Sequence, residues 1–271
     1  MTPRKNMTRR PYHYGLVFLI LLLFISPSGI LVLQSFGGIP PFPQLLPQAL
    51  SFSHWSQIFS TPFLKHTLLT SAGYSFVTVL LALILTYSLA KFLAWKDPPG
   101  RTLWEALLMV PAVLPVLTTA WGLHLSFTFL RWTDSLPAVV VVLTFYSYPY
   151  MLRALIAGFE TLGPENGRCA KNLGASPWIV FRRVEFPRMI FPVLSGGSVV
   201  FLAAFSDFFV VFLFGGGRVR SFTGILMPVL GSSNQGRGSA LTLVFLLIPL
   251  LMFGLLEEIF FIWARRRGIT A

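Results

Sequence analysis

Gly163 to Pro187 reads GPENGRCAKNLGASPWIVFRRVEFP, the longest run of polar and charged residues between two apolar segments of the chain. Its punctuation predicts two short helices joined by a sharp corner. Pro164 fits the first position of a helix, where its missing N–H costs nothing. Glu165 then faces the positive end of the helix dipole and Lys171 the negative end. Gly174 follows as the glycine that most easily takes the left-handed conformation closing a helix. Ser176 and Pro177 form a fresh N-cap and first-turn pair. The second helix is predicted to run through Trp178, Phe181 and Val184 and to stop before Pro187, because proline disfavours helix at the residue preceding it. Cys169, Ala170, Gly174 and Ala175 are small, so a partner surface can approach the corner closely. By stop and start signals alone, a solvated loop joining two membrane helices is an equal reading.

The composition around this stretch is that of a membrane protein. Of 271 residues, 55% are hydrophobic and 11% charged, with a mean hydropathy of +0.73. A soluble domain of this length carries about 25% charged residues. The single cysteine, Cys169, excludes an internal disulfide and fits a reducing compartment.

Working outward, the apolar runs predict six spans, each long enough for a hydrocarbon core of ~30 Å. They cover about 14–36, 66–94, 103–130, 136–159, 188–214 and 240–263. The first reads as an uncleaved helix rather than a signal peptide. Residues 37–65 hold Pro40, Pro41, Pro43, Pro47 and Pro62 and form a loop. Within it, Ser53 to Phe59 is predicted as a short interfacial helix with Trp55, Ile58 and Phe59 on its lipid side. Pro111 and Pro115 should bend the third span. Ser195-Gly196-Gly197-Ser198 offers a small-residue packing face in the fifth. Residues 215–239 read as a glycine-rich loop. The chain thus divides into 1–65 (N-terminal segment, first span and loop), a core at 66–263, and a basic tail at 264–271.

Charge sets the expected orientation. Of 21 Lys and Arg, 16 fall on the side of both termini and of the 163–187 loop. Five fall opposite, at Lys65, Arg131, Arg218, Arg220 and Arg237. This bias predicts that both termini are cytoplasmic. It also accounts for the net charge of +12 without any nucleic-acid partner.

The 163–187 stretch resembles the EAA loop of binding-protein-dependent ABC transporter permeases. That pattern is Glu-Ala-Ala, three residues, Gly, nine residues, an aliphatic residue, one residue, and Leu-Pro. Arg168, Cys169 and Ala170 stand at the Glu-Ala-Ala positions, Gly174 is the glycine, Val184 the aliphatic residue, and Phe186-Pro187 stands for Leu-Pro. Gly174-Ala175-Ser176-Pro177-Trp178 is also typical of the family. Arg168 reverses the charge of the family's glutamate, which puts a salt bridge from that position to an ATPase in question. Glu165, one turn earlier, can substitute for it in part. Ser-Tyr-Pro-Tyr at 147–150, Phe-Ser-Asp-Phe at 205–208 and the glycines at 215–217 look like permeases of the polyamine, iron, thiamine and phosphonate type.

The resemblance implies an all-α polytopic membrane protein with six transmembrane helices, like a type I ABC importer permease, in a bacterial inner membrane. It implies an ABC ATPase dimer, a second permease subunit and a substrate-binding protein as partners, with the lipid bilayer as solvent. The loop would couple to the ATPase through Glu165, Arg168, Cys169, Ala170, Gly174, Ala175, Ser176, Trp178, Val184 and Pro187. ATP and Mg would sit on the ATPase, and no cofactor on this chain.

The residues themselves suggest no catalysis. No phosphate-loop sequence occurs, and His13, His54, His66 and His124 are not at ligand spacing for a metal. For a substrate pathway the candidates are Asp207, Tyr146, Ser147 and Tyr148. Asp207 is the one acid placed deep in a span, about 28 Å along the fifth helix from Arg188. An acid there would favour a cationic substrate, or would simply reach water at the interface. The tyrosines line the pathway or pack between helices. His124 reads as a hydrogen-bonded core histidine. An alternative from another class is an ion-gradient-driven secondary carrier, which would carry buried charges and broken helices near the midplane.

Overall fold

Long helices dominate because backbone groups in hydrocarbon have to be satisfied within their own segment. The structure, a computed structural model, describes residues 11–37, 50–232 and 234–266. The basic N-terminal residues, Pro40 to Pro47 of the proline-rich loop, and the chain from Arg267 onward lie outside them.

The elements are α1 (Pro11–Ser35), α2 (Ser53–Ser60), α3 (Pro62–Lys96), α4 (Arg101–Val113), α5 (Val116–Phe129) and α6 (Leu136–Leu162). They continue as α7 (Glu165–Asn172), α8 (Pro177–Val180), a π-helical turn (Phe181–Glu185), α9 (Phe186–Ser206), α10 (Phe209–Gly215), α11 (Phe222–Leu230) and α12 (Gln235–Arg266). Among the described residues, four helices are long and apolar enough to cross a membrane: Pro62–Lys96, Leu136–Leu162, Pro177–Ser206 and Gln235–Ile262. The α4–α5 pair makes a fifth if it counts as one broken span. In α1, Leu19–Ser35 is a shorter apolar helix. Of the six expected spans, the second to sixth therefore appear among the described residues as four long helices and the broken α4–α5 pair, while the first corresponds to α1, whose apolar part is shorter.

Two places break where one helix was expected. The third span splits at Val113 into α4 and α5, whose axes meet at 91°. Leu114 is extended (ψ 135°), as a residue before proline prefers, and Pro115 is extended in turn. The fifth span splits at Asp207, whose backbone leaves the helix at ψ 116°. The 215–239 region, expected as a loop, contains α11.

Chain contacts divide into two units. The smaller lies within Met1–Thr61 and Leu226–Val244. In it Trp55 stacks on Phe36 at 5.9 Å and donates its indole N–H to Ser35 Oγ at 3.3 Å. Ser239 Oγ donates to Gln34 Oε1 at 2.9 Å. The helix predicted at Ser53–Phe59 is present, but Ile58 is buried rather than lipid-facing, and only Phe59 of the three is fully exposed. Trp55 turns inward to Phe36 and Ile58, three residues on, shares that side, while Phe59 stacks on Trp55 at 6.2 Å and stays exposed.

The larger unit, Pro62–Ile225 with the chain from Phe245, is built on α3, α6 and α9. The buried face of α3 is Thr67, Ser71, Ser75, Thr78, Ala82, Thr86 and Ala90, spaced by three or four residues. Leu64, Tyr74 and Leu93 are the large residues on this face; most of the others point the other way, with Leu69, Phe76, Leu80, Ile84, Leu85 and Phe92 exposed. This polarity is the inverse of a soluble helix. Lipid is as apolar as leucine, so association comes from close backbone approach at small residues. Three of the hydroxyls satisfy themselves on their own helix: Ser75, Thr78 and Thr86 donate to the carbonyls four residues earlier, at 2.6–2.9 Å, while Ser71 Oγ accepts the Phe222 N–H at 2.8 Å.

Gly196 and Gly197 of α9 are buried, as the small-residue face predicts. A Cβ on Gly196 would lie 2.9 Å from Ala154 Cβ and 3.2 Å from Met151 Cα. Two apolar clusters flank this seam. One joins Phe159, Met151, Leu152, Leu155, Leu93 and Met189 at the end nearer α7. The other joins Val139, Val142, Leu143, Val210 and Phe214 at the far end.

Gly196→Ala should wedge α6 from α9 and cost about 1–3 kcal/mol, read as a lower thermal midpoint of the detergent-solubilised protein. Gly254→Ala, where an added Cβ meets nothing within 4 Å, should leave the midpoint unchanged or slightly raised.

Candidate functional site: the elbow between α6 and α9

The corner forms as its residues dictate. α6 ends at Gly163, which takes φ +66°. Pro164 sits just before α7 rather than inside it. Glu165 occupies the first turn and folds back over Gly163. α7 closes with paired bonds: Gly174 N–H donates to Lys171 O at 2.9 Å, and Ala175 N–H to Ala170 O at 3.0 Å. This is the Schellman arrangement, which needs a left-handed residue, and Gly174 supplies φ +83°. Ser176 Oγ then accepts the Ile179 N–H at 3.4 Å with Pro177 in the first turn. The corner therefore has a cap on each side and no slack residue between.

The helix expected to stop before Pro187 does not stop there. α8 passes through the π-turn Phe181–Glu185 straight into α9. Phe186 is helical and its N–H donates to Phe181 O, five residues back. The wider turn tolerates Pro187, which lacks an N–H to give, at the first turn of α9. The second half of the elbow is thus the end of a 30-residue span, Pro177–Ser206.

Exposure sorts the expected coupling residues. Glu165, Arg168, Cys169, Gly174, Ser176 and Trp178 are exposed; Ala170, Ala175 and Val184 are half-buried; Pro187 is buried. Trp178 is 65% exposed and stacks on Phe181 at 5.4 Å. Leu173, absent from the expected set, stands 83% exposed at the corner. In the sequence its one mark is its place directly before the helix-closing Gly174.

Glu185 is also absent from the expected set, and it matters more. It is 3% exposed, and Lys91 of α3 places its ammonium 2.6 and 2.7 Å from the two carboxylate oxygens. The ammonium also lies 4.8 Å from the Trp95 ring centroid, in range for a cation–π contact. Trp95 in turn donates its indole N–H to Phe159 O at 2.8 Å. Tyr87 meets Phe159 and Phe181 edge-on at 5.1 and 5.5 Å. Gly167 of α7 is buried, and a Cβ there would lie 3.7 Å from Glu185 Oε1. No sequence pattern announces a pair 94 residues apart.

A second cluster fixes the same end of the bundle. Arg101, at the start of α4, bonds Glu105 through Nε at 2.6 Å and also pairs with Glu160 near the end of α6. Glu185, Glu160 and Glu105 are thus committed internally. Among the described residues Arg168 and Lys171 form no ion pair, so the exposed face of α7 carries cations.

The candidate pathway residues lie on α6 and at the α9–α10 break. Asp207 Oδ1 accepts the Val210 N–H at 2.7 Å and caps α10. Tyr146 OH lies 2.5 Å from Thr119 Oγ1 of α5. Ser147 Oγ donates to Leu143 O, and Tyr148 OH to Leu108 O at 2.9 Å. His124 packs edge-on against Phe214 at 5.5 Å.

Small residues facing in, large apolar residues facing out and a braced polar elbow leading into a span define a polytopic membrane protein of the transporter class. The chain belongs to the family of binding-protein-dependent transport system inner membrane components, whose model matches residues 82–263, and is thus a permease subunit of an ABC importer. The probable sulfate transport system permease protein cysT of Zygnema circumcarinatum is 25% identical over 98% of this chain and 95% of its own length. The molybdate/tungstate transport system permease protein WtpB of Thermococcus kodakarensis is 33% identical over 51% of this chain and 53% of the relative. The thiamine transport system permease protein ThiP of Salmonella typhimurium is 28% identical over 60% of the chain and 33% of the relative. The chain therefore spans about half the length of one and a third of the other. The fold is shared with a bacterial ABC transporter involved in import of the acidic polysaccharide alginate, at a TM-score of 0.70 and 13% identity, covering 95% of this chain and 99% of that one. The ion-gradient-driven carrier reading is not favoured by these relatives.

Gly174→Val should cost about 1–2 kcal/mol, because a β-branched side chain resists the left-handed backbone. Hydrogen exchange should then be faster at the amides of Gly174 and Ala175 while those of α6 keep their protection.

Proposed function

We propose that this permease couples substrate passage to ATP hydrolysis on a separate cytoplasmic ATPase, with α7 and the Gly174 corner seated on that ATPase. The observation that carries the reading is the unbroken run from the corner into a membrane span. Two capped helices meet at Gly174, and the second is continuous with α9 through the π-turn. A push on the corner would move the span, where a flexible linker would absorb it. ATP and Mg would be held by an ATPase dimer, whose closure would draw two such elbows together. A second permease subunit, a copy or a homologue, would complete the pathway, and a substrate-binding protein would deliver the solute from the far side. Both termini would then be cytoplasmic, in line with the charge bias.

In this reading the docking face is α7, with Arg168, Cys169, Lys171 and Leu173 exposed and Trp178 beside them. Arg168 would meet an acidic ATPase surface, the reverse of the family's glutamate. Glu165 would not compensate, because it folds back over Gly163 toward its own helix start. Asp207, Tyr146, Ser147 and Tyr148 would contribute to the pathway walls, while also holding α10, α5 and α4 in place by their hydrogen bonds.

The test is assembly and transport with the cognate ATPase. The purified permease should form a stable complex with it, and uptake into proteoliposomes should stop when that ATPase is inactivated. Arg168→Glu should weaken the complex about tenfold, equivalent to ~1.4 kcal/mol. Affinity unchanged at both low and high salt would reject the acidic surface. Uptake that continued without the ATPase would reject the coupling itself.

A further inference from the structure

We infer that the Lys91–Glu185 ion pair is the pin through which the elbow moves α3 as well as α9. The inference rests on the elbow receiving the ATPase stroke, as proposed above. Covalent continuity carries a push only into α6 and α9, the two helices that the elbow joins. α3 is remote in sequence, yet it reaches the elbow through the Tyr87–Phe181 edge contact and through a charged contact on the buried Glu185. Glu185 belongs to the π-turn, is covered by Gly167 of α7, and is held by Lys91 of α3. Three elements therefore meet on one carboxylate.

The chemistry of that contact matters. A buried carboxylate costs desolvation that leucine or glutamine would avoid, so packing does not explain Glu185. Apolar surfaces resist compression but part readily under tension. A short ion pair with one partner buried, the Glu185 side chain at 4% and that of Lys91 at 33% exposed, resists being pulled apart as well as being compressed. Lys91 cannot swing freely in response, because the Trp95 ring lies beside its ammonium. Trp95 is itself anchored to Phe159 O at the end of α6. A displacement of the π-turn therefore reaches α3 at once, in either direction.

The decisive variant removes both charges. Lys91→Met with Glu185→Gln leaves no unpaired buried ion, and such paired replacements are commonly near neutral in stability. In proteoliposomes with the cognate ATPase and binding protein, this double variant should assemble and hydrolyse ATP, but transport per ATP should fall about tenfold. Glu185→Gln alone should show the same fall with a lower thermal midpoint. The exchange Lys91→Glu with Glu185→Lys should recover most of the ratio, and Lys91→Arg should retain it. A double variant that transports per ATP as the wild type does would overturn the pin. So would an exchanged pair that recovers the thermal midpoint without the transport ratio. Failure of the wild-type chain to bind the ATPase would strike the proposed function instead.

Discussion

Close approach of α3, α6 and α9 is the constraint on which the rest depends. In hydrocarbon, burying a large apolar side chain contributes little, because lipid already solvates it. The helices associate where their backbones can come near, at Ser71, Ser75, Ala82 and Ala90 on α3 and at Gly196 and Gly197 on α9. Hydroxyls are admitted to this seam because a serine or threonine can bond a carbonyl on its own helix, as Ser75, Thr78 and Thr86 do. Large residues are displaced outward to lipid or to the two clusters that cap the seam. With the three helices held, the elbow between α6 and α9 has a fixed place to start and to finish.

The elbow is then a rigid body by local chemistry and an attached one by tertiary chemistry. Gly174 and Ser176 set its angle through paired caps. The π-turn makes it continuous with α9, and Glu185 ties that turn to α3. Arg101 performs a related task nearby, joining the start of α4 to the end of α6 through Glu160. Glu185, Glu160 and Glu105 at this end of the bundle are consumed in holding it together. Arg168 and Lys171 are left to define the electrostatic character of the exposed face of α7.

Proline shows how far local rules reach. Before Pro115 the extended preference prevails, and the third span turns through 91°. Before Pro187 the same preference yields, because the π-turn places the proline where no donor is needed and α9 continues. Both sites have the same local signal, and only the second is preceded by a π-turn. Asp207 makes a similar point. An acid within an apolar run read as a mid-helix group near the outer edge, yet the backbone breaks there and the carboxylate caps the next helix.

The sequence by itself determined the helical class, the positions of the long apolar runs and the corner at Gly174, because these follow from hydropathy and from backbone preferences within a few residues. It also carried the family pattern at 163–187. It did not disclose the Lys91–Glu185 pair, the Arg101–Glu160 pair or the inward face of α3. Residues that meet across 94 or 59 positions leave no local period, and small hydroxyl residues do not register as a core by hydropathy. Those features were decided by tertiary structure, where helix contact selects small residues and desolvation makes the buried Glu185 carboxylate find a cation.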